Sequence, residues 1–412
     1  MTPSTAMQRS NPEWPPPRGV DTAGGLSTSP TPSRFDCRSL DVAHADAALR
    51  QAFAYKGLHT AGMSQVHYLG RSKKTKITSL DIAHRAGVSQ ATVSRVLRGS
   101  PLVNAETRRR VEDAVRELNY KVDRHASSLR TQRSGTLALL LFEDPTPDES
   151  HINPFFLSMV GSITRACARE GQDLLISFQQ LSDDWHADYE DSMKADGLIL
   201  LGYGDYLAYT GKLEKLVAQG TRFVRWGAVL HDQPGLSIGC DNFNGGRIAG
   251  EHLVGLGRRR IAFLGGASSH CPEFFDRFRG CDAALREVGG AMEAILQVDA
   301  ESSEEDGFAA ARELLARGGA FDAVFAASDL IAVGAMRALA DAGLRVPEDI
   351  AVVGFDDLPM ARFTSPPLTT VFQDTKRAGE LLVETLLRQI GGEQTQSITL
   401  PASLVVRKSS GA

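Results

Sequence analysis

One short run of the sequence carries side chains of the types that read base edges in the major groove of DNA. The run is Ser89-Gln90-Ala91-Thr92-Val93-Ser94-Arg95. Glutamine can hydrogen-bond adenine, alanine can contact the methyl group of thymine, and arginine can place two donors on the O6 and N7 atoms of guanine. The alternative is that Gln90, Ser94 and Arg95 are ordinary polar residues facing solvent.

The residues around this run favour contact with phosphate. The hydroxyl groups of Thr78, Ser89 and Ser94 can hydrogen-bond phosphate oxygens. Residues 71–135 hold 15 Lys and Arg against 6 Asp and Glu, whereas residues 136–412 hold 24 against 39. A basic block joined to an acidic body is typical of a nucleic-acid-binding segment fused to another domain, with a charged, solvated helix as the alternative. Three lysines can contribute through charge alone: Lys73, Lys74 and Lys76.

Three short helices are predicted in the basic block. The first begins near Ile77 and is broken at Gly87, and Ser89 and Asn104 can cap the second and third. The residues predicted to face inward are Leu80, Ala83 and Ala86 in the first helix, Val93, Val96 and Leu97 in the second, and Val111, Ala114, Val115 and Leu118 in the third. Short helices joined by a tight turn predict an all-α helix-turn-helix bundle over residues 75–122.

Apolar strand-like runs alternate with amphipathic helical stretches after residue 135. The predicted strands are Thr136–Phe142, Asp173–Ser177, Gly197–Leu201, Arg222–Trp226, Arg260–Gly265, Ala323–Ala327 and Ile350–Phe355. The predicted helices are Phe156–Glu170, Asn244–Leu256, Gly307–Arg317 and Ile331–Gly343. Repeated β-α-β units predict an α/β fold with parallel sheets covered on both faces. Residues 136–412 are sufficient for two such doubly wound sheets with a cleft between them, at the carboxyl ends of the strands.

The N-terminal residues and the cysteines exclude several classes of protein. Residues 1–35 contain seven of the eighteen prolines, and we expect residues 1–72 to be disordered or wrongly annotated, with a natural start near Met63. No run approaches the roughly 20 apolar residues of a membrane helix, and no secretory signal is evident. The five cysteines form no Cys-x-x-Cys pair, which argues against a disulfide scaffold or zinc ribbon and fits a reducing cytoplasm.

Motifs for catalysis and for metal binding are not found in the sequence. Gly265-Gly266-Ala267 follows a predicted strand but does not have the Gly-x-Gly-x-x-Gly spacing. There is no phosphate-binding Gly-Lys-Ser/Thr loop, no Gly-x-Ser-x-Gly elbow and no His-x-x-x-His pair. We therefore expect no catalytic residues, no metal site and no cofactor.

The chain resembles the lactose/galactose-repressor (LacI/GalR) family over about residues 77–408. The headpiece matches are Ile77–Ala83, Ala86–Ser89, Thr92–Leu97, Glu106–Arg108, Val111 and Leu118–Tyr120. The downstream matches are Ile152–Phe156, Asp241–Phe243, Arg260–Gly266, Val346–Ile350, Val353–Asp357 and Pro366–Val371. The resemblance implies a periplasmic-binding-protein-like core over residues 136–412, a homodimer, and a hinge helix and linker over residues 123–135.

In this resemblance the hinge places Leu129, together with Ala126, in the minor groove at the centre of the DNA site. A leucine wedge there would kink the duplex, whereas packing within the hinge helix is the alternative. Val122 stands where the family usually has proline and Ser127 where it often has arginine, while Arg98 replaces a common asparagine. The predicted DNA contacts are Thr78, Ser89, Gln90, Ala91, Thr92, Ser94, Arg95, Arg98, Asn104, Tyr120, Ala126 and Leu129.

The resemblance also places a small-molecule effector in the cleft of the core. A sugar presents apolar C–H faces to aromatic rings and hydroxyl groups to bidentate polar groups. Arg277 and Asp356 are the matched charged pair, and Ser328 replaces an asparagine of several sugar-responsive members. The aromatic walls implied are Phe155, Phe156, Trp226 and Phe325, and the further pocket members are Asn153, Cys271, Glu273, Asp329 and Gln373. Packing in the core is the alternative for each aromatic residue.

The sequence thus predicts a cytoplasmic transcriptional regulator, most consistent with a repressor, that binds a palindromic site in double-stranded DNA as a homodimer. No leucine heptad follows Val406, which favours a dimer over a coiled-coil tetramer. Two alternatives are a solute-binding protein of a transport system and a sugar-processing enzyme fused to a DNA-binding module. The basic block does not fit the first, and the missing catalytic motifs do not fit the second.

Overall fold

The computed structural model describes residues 77–97, 99–120, 133–141, 152–178, 184–202 and 205–412. Several sequence-based predictions lie outside the described residues. They concern residues 1–72, the three lysines at positions 73, 74 and 76, Arg98, and the hinge residues Ala126 and Leu129.

Residues 77–120 form a bundle of three helices, which we call the headpiece. Helix α1 spans Ser79–Ala86, α2 spans Gln90–Leu97 and α3 spans Ala105–Glu117. The side chains of Ile82, Val93 and Val111, one from each helix, are fully buried against one another. The three helices predicted from the sequence are therefore present, and they share a single small core.

The register of α1 differs from the expectation. Helix α1 begins at Ser79 because Thr78 caps it in a reciprocal capping box with Asp81. Leu80 was predicted to face inward, but its side chain is 64% exposed, while Ile82 is fully buried. The buried face of the helix is formed by Ile82, Ala83 and Ala86. Three residues turn an α-helix by only about 300°, so the three-residue spacing from Ala86 to Ala83 to Leu80 leaves Leu80 roughly 110° from the centre of that face.

An arginine of α3 fixes the turn between α1 and α2. Arg110 donates to the carbonyl oxygen of Ala86 through Nε at 3.1 Å and Nη2 at 2.6 Å, and to that of Gly87 at 3.0 Å. These carbonyls lie at the end of α1, where a helix leaves its acceptors unpaired and carries partial negative charge. Gly87 has φ +65°, a left-handed conformation that favours glycine at the end of a helix. The mutual orientation of α1 and α2 is thus held by the third helix.

The rest of the described chain forms two lobes, each built on a six-stranded sheet. The first sheet has the order β11-β5-β4-β3-β1-β2, and all its neighbouring strands are parallel. Its strands are β1 Thr136–Leu141, β2 Asp173–Phe178, β3 Leu198–Leu201, β4 Phe223–Trp226, β5 Leu236–Cys240 and β11 Ile398–Leu400. The helices of this first lobe are α4 Pro154–Arg169, α5 Tyr206–Ala218 and α10 Thr375–Ile390.

The second sheet has the order β12-β10-β9-β8-β6-β7, in which only the β10–β12 pair is antiparallel. Its strands are β6 Ile261–Leu264, β7 Gln297–Val298, β8 Ala323–Ala326, β9 Ala351–Asp356, β10 Thr369–Phe372 and β12 Ser403–Val405. The helices of this second lobe are α6 Asn242–Gly255, α7 Pro272–Glu287, α8 Glu304–Ala316 and α9 Asp329–Asp341.

The chain crosses between the lobes three times. It enters the second lobe after β5, returns to the first lobe after β10, and crosses again between β11 and β12. Each lobe is therefore made of segments distant in sequence, so the two lobes form one folding domain joined by three connections.

All seven strands and four helices predicted for this region are present, with ends that agree within three residues. The strands and α-helices not predicted are β5, β7, β10, β11, β12, α5, α7 and α10, and the short π-helix His186–Asp191 was not predicted either. Strands β7, β11 and β12 contain only two or three residues, too few to show a periodicity. The two doubly wound, mostly parallel sheets are those that the sequence predicts.

Candidate DNA-contact surface and effector cleft

One face of α2 is available for contact with DNA. Gln90, Ala91 and Arg95 are exposed, and Ser94 is half-buried on the same face. The opposite face carries Val93 and Val96, which are buried in the headpiece core. A helix whose inner face is fixed and whose outer face bears an amide, a methyl and a guanidinium group can be inserted into a major groove.

Three predicted DNA-contact residues cap helices. Thr78 Oγ1 accepts from the main-chain N–H of Asp81 at 3.4 Å, Ser89 Oγ accepts from that of Thr92 at 3.2 Å, and Asn104 Oδ1 accepts from that of Thr107 at 2.8 Å. Each cap therefore stabilises the start of its own helix. All three lie on exposed headpiece surface, and Thr92 and Tyr120 are half-buried, with Tyr120 packed against the headpiece core.

In the core, the predicted charged pair occupies the place where the two lobes meet. Arg277 of α7 and Asp356 at the end of β9 are both about 1% exposed, and Arg277 Nη1 lies 3.9 Å from Asp356 Oδ1. The guanidinium group of Arg277 lies over the ring of Phe355 at 3.7 Å. Arg277 Nε donates to Asn242 Oδ1 at 2.9 Å, and Nη1 donates to the carbonyl oxygen of Ala327. A buried guanidinium group is thus held in place by two acceptors and a ring.

Asp356 is joined to Gln373 by a hydrogen bond. Gln373 Nε2 donates to Asp356 Oδ1 at 2.6 Å. Gln373 Oε1 is buried and has no hydrogen-bond partner among the described residues. A buried acceptor without a donor is costly to the fold. Burial raises the pKa of the Asp356 carboxyl to about 7, even though Arg277 lowers it.

The backbone at Asp356 is strained. Asp356 has φ +121° and Asp357 has φ +52°. Residues other than glycine rarely adopt a positive φ. Conformations of this kind cost on the order of 1–3 kcal/mol and cluster at functional sites. The strain occurs at the residue whose carboxyl group faces Arg277.

Asp329, predicted to bind the effector, supports the fold of the second lobe. Its side chain is fully buried, and its Oδ2 accepts from the main-chain N–H of Leu358 at 2.7 Å. Its Oδ1 accepts from Thr370 Oγ1 at 2.5 Å. Burial and the neighbouring Asp356 raise the pKa of Asp329 well above its ordinary value. Both oxygens are occupied by protein donors, so Asp329 orients the loop after β9.

The aromatic residues predicted to form walls divide into two groups. Phe155 and Trp226 pack together in the first lobe with ring centroids 6.0 Å apart, and Phe156 lies 5.3 Å from Phe155. Phe325 is the third residue of the central strand β8, fully buried, with its ring 5.6 Å from Phe263 on the neighbouring strand. Phe325 thus packs in the core of the second lobe, and its assignment to the effector pocket stays a prediction.

Loops at the carboxyl ends of the strands join the two lobes by hydrogen bonds. Asn153, after β1, donates through Nδ2 to the main-chain oxygen and Oγ of Ser302, each at 3.2 Å, and Ser302 Oγ donates to Ser328 Oγ at 2.9 Å. Glu273 of α7 accepts from the main-chain N–H of Ala228 at 2.7 Å. Asn153 and Glu273, predicted to contact effector, are thus bonded to the opposite lobe.

A further contact between the lobes lies on the rim of the cleft. His270 Nδ1 and Asp205 Oδ2 are 2.9 Å apart, and the main-chain N–H of Tyr206 donates to the oxygen of His270 at 2.9 Å. The hydrogen bond to His270 lowers the pKa of Asp205. Cys271 follows directly and precedes α7, and burial raises the pKa of its thiol to about 11. Cys271 is therefore a half-buried neutral thiol beside this rim.

Sequence reasoning missed several residues that the structure brings to these sites. Asn242 belongs to the Asp241–Phe243 match to the family, but it is not among the predicted pocket residues. Arg225 is 2% exposed on the otherwise apolar strand β4, and its Nη2 donates to the oxygen of Ala228 at 3.0 Å and to Gln233 Oε1 at 2.9 Å. A charged residue within an apolar strand was the available signal for Arg225. Arg110 gave no such signal, because three consecutive arginines precede Val111.

Across the described ranges, no three His, Cys, Asp or Glu side chains are placed to hold a metal ion. The helices within those same ranges include none that is long and apolar enough to cross a membrane.

Comparison with known proteins identifies both parts of the chain. Residues 78–123 match the model of bacterial regulatory proteins of the lacI family, and residues 251–410 match that of the periplasmic binding protein-like domain. The HTH-type transcriptional regulator CelR of Thermobifida fusca is 34% identical over 335 residues, which cover 80% of this chain and 96% of CelR.

Two solved structures extend this similarity. A complex of the transcriptional regulator CelR with cellobiose has a TM-score of 0.60 at 33% identity, over 81% of this chain and 99% of the other. A lac repressor dimer bound to operator and an anti-inducer has a TM-score of 0.68 at 30% identity, over 82% and 99%. These relatives are transcriptional regulators, which does not favour a transport solute-binding protein. The chain therefore belongs to the LacI family of bacterial regulatory proteins.

Proposed function

We propose that this protein is a transcriptional repressor that binds operator DNA as a homodimer and responds to a sugar bound between its two lobes. One observation carries the proposal. The same chain has an exposed amide–methyl–guanidinium face on α2 and a buried Arg277–Asp356–Gln373 site where the lobes meet. A DNA-reading helix and a ligand site on one chain are what effector-controlled DNA binding requires.

The DNA contacts that we propose divide by role. Gln90, Ala91 and Arg95 contact base edges, because they are the exposed side chains at the centre of the outer face of α2. The remaining residues contact phosphate or sugar and set the register of the protein on the duplex. They are Thr78, Ser89, Thr92, Ser94, Arg98, Asn104 and Tyr120, with Ala126 and Leu129 assigned to the minor groove by family resemblance.

The effector that we propose is a sugar with adjacent hydroxyl groups. Gln373 Oε1 and the carboxyl group of Asp356 can accept from hydroxyl groups, while Arg277 can donate. Phe155 and Trp226, which are buried together in the first lobe, are the rings that we propose for contact with the C–H face of a sugar. The relative CelR was solved with cellobiose bound, which supports a sugar. Buried polar groups that lack hydrogen-bond partners until a ligand binds would let the site reject molecules without matching hydroxyl groups.

The surface of the first lobe supports a homodimer. Leu157 of α4 is 55% exposed, and Ile176 and Phe178 of the edge strand β2 are 46% and 41% exposed. We propose that these exposed apolar side chains, which lie on two elements in contact with each other, form one interaction face. An isologous contact of this face with its copy would place two headpieces for the two halves of a palindromic site.

We assign the headpiece domain to residues 75–122, the hinge helix and linker to residues 123–135, and the effector-binding and dimerisation domain to residues 136–412. We further propose that the protein acts in the cytoplasm, where the chromosome is accessible to it, and that its ligand is bound without being chemically changed. The relatives named above are regulators and not enzymes by description.

The experiment that tests the proposal is selection of bound duplexes from a random pool by the full-length protein, repeated with a panel of sugars and, as a second ligand class, nucleobases. We expect a palindromic consensus whose affinity changes with at least one sugar. Recovery of no consensus would contradict sequence-specific binding. A consensus whose affinity responds only to nucleobases would contradict the sugar assignment.

A further inference from the structure

We propose that Ser79 positions the side-chain amide of Gln90 and thereby determines which bases Gln90 accepts. The inference rests on the proposed function, because it requires α2 to enter the major groove. Gln90 Nε2 donates to Ser79 Oγ at 2.8 Å. Ser79 is the first residue of α1 and Gln90 is the first residue of α2, so this bond joins the beginnings of the two helices.

The hydroxyl group of Ser79 is free for this role. Capping of α1 is done by Thr78, whose Oγ1 accepts from the main-chain N–H of Asp81, while Asp81 Oδ2 accepts from the main-chain N–H of Thr78 at 2.8 Å. Ser79 is half-buried, whereas Gln90 is exposed. The more buried of the two residues therefore holds the more exposed one.

The bond gives the amide of Gln90 a direction. A glutamine carboxamide has an acceptor oxygen and a donor nitrogen at opposite sides, and in solvent it can present either. With Nε2 turned towards Ser79 of α1, Oε1 is turned away from it. Among the described residues, Oε1 of Gln90 accepts no hydrogen bond. Gln90 is thus presented to DNA with its acceptor available.

The chemistry of the major groove converts this direction into a base preference. Adenine and cytosine present amino groups, N6 and N4, that can donate to an acceptor, whereas guanine and thymine present only acceptors on that edge. The Gln90 acceptor therefore favours adenine or cytosine at the base it faces. Ser79 is a positioning residue that acts through Gln90 and has no need to touch DNA itself.

The test measures base preference with the full-length protein and its variants Ser79→Ala, Ser79→Thr, Gln90→Ala and the double variant. We expect the wild type to prefer adenine or cytosine by roughly tenfold at one position of each half-site, and Ser79→Ala to reduce this to about threefold or less. Ser79→Thr keeps the hydroxyl group and should keep the preference. In the Gln90→Ala background, Ser79→Ala should change nothing.

The matched control is Ser100→Ala, which removes the hydroxyl of another headpiece serine that bonds the main-chain N–H of Leu102 at 3.4 Å. It should leave the preference unchanged, and thermal unfolding should show all variants folded. An unchanged base preference in Ser79→Ala would overturn the inference. So would a uniform loss of affinity on all sequences, which would indicate a phosphate contact, or a wild-type preference for guanine or thymine. If the wild type selects no sequence, the proposed function itself fails.

Discussion

At the scale of single residues, the proposed response to effector rests on buried polar groups, of which Gln373 Oε1 has no hydrogen-bond partner among the described residues. Arg277 is held by Asn242 and by the carbonyl of Ala327, and it still lies only 3.9 Å from Asp356. Gln373 contributes an acceptor without a donor. A ligand that completes these hydrogen bonds can bind one arrangement of the lobes more tightly than another, which is the condition for any shift of population.

Replacement of Arg277 by alanine should abolish the response to effector while leaving operator binding largely intact. Arg277 lies on α7 of the core domain, far in sequence from the three headpiece helices, and it is not part of the headpiece core. The measurement is operator affinity with and without the selected sugar. Arg279→Ala, which removes an exposed arginine of the same helix, is the control. A normal response in Arg277→Ala would show that the pocket assignment is wrong.

The Asp356 carboxyl should make stability depend on pH. Its pKa is raised by burial to about 7, from an ordinary value of 3.8. The folded state therefore keeps a proton that the unfolded state loses, so the free energy of unfolding should fall as pH rises from about 4 to 7. Asp356→Asn should flatten this slope by up to about 1.4 kcal/mol per pH unit. Denaturant titrations across pH 4.5–7.5 measure it, with the exposed Asp232→Asn as control. Equal slopes in wild type and Asp356→Asn would contradict the assignment.

At the scale of elements, the two sites differ in how they are supported. The face of α2 depends on a turn held by Arg110, and the cleft depends on loops of two lobes that bond each other. Both supports come from residues distant in sequence. The helix-turn-helix and the β-α-β alternation could be predicted, because amphipathic periodicity is local.

The supporting contacts could not be predicted in the same way. Phe325 and Trp226 both lie on apolar strands, but Phe325 packs inside its sheet against Phe263, while Trp226 ends its strand beside Phe155. Glu273 resembled a pocket residue in sequence, and its partner is a main-chain N–H on the other lobe. Such differences are set by which strand ends meet across the cleft, and the sequence pattern does not specify that.

Removal of Arg110 should loosen the turn before α2. Its guanidinium group satisfies the carbonyls of Ala86 and Gly87 at the end of α1. Hydrogen bonds from a charged donor contribute about 1.5–3 kcal/mol, so Arg110→Ala should destabilise the headpiece by about that amount. Hydrogen exchange of headpiece amides measures the change, and Arg109→Ala, the neighbouring exposed arginine, is the control. Equal protection in both variants would mean that the turn does not need this contact.

Removal of the Glu273 carboxylate should loosen contact between the lobes. The main-chain N–H of Ala228 donates to Glu273 Oε1 at 2.7 Å, so Glu273→Ala should speed exchange of that amide by roughly tenfold or more. Glu273→Gln retains an acceptor and should have a smaller effect. The readout is hydrogen exchange, corrected for intrinsic rates, and it needs no ligand. If Glu273→Ala leaves exchange at Ala228 unchanged, the bond between Glu273 and Ala228 does not hold the two lobes together.

At the scale of the whole molecule, the three chain crossings link the two lobes, and we propose that the exposed apolar side chains of the first lobe connect one copy to another. Leu157, Ile176 and Phe178 lie on α4 and on the edge strand β2, so a contact made there involves the lobe into which the headpiece connection leads. A change in lobe arrangement could then alter the separation of two headpieces. In the function that we propose, effector control of DNA binding therefore requires the dimer as well as the cleft.

Introduction of charge on this face should therefore separate the copies and weaken operator binding. Leu157→Glu would place a carboxylate in a contact that is otherwise apolar, which costs several kcal/mol when it is buried unpaired. We expect monomers in sedimentation equilibrium at micromolar protein and a loss of operator affinity of at least tenfold at nanomolar concentrations, because each monomer reads only one half-site. Val217→Glu, at a 49% exposed position on α5, is the matched control and should remain dimeric. A Leu157→Glu protein that stays dimeric with full affinity would place the interface elsewhere, whereas restoration of affinity by raising its concentration would support this face as the interface.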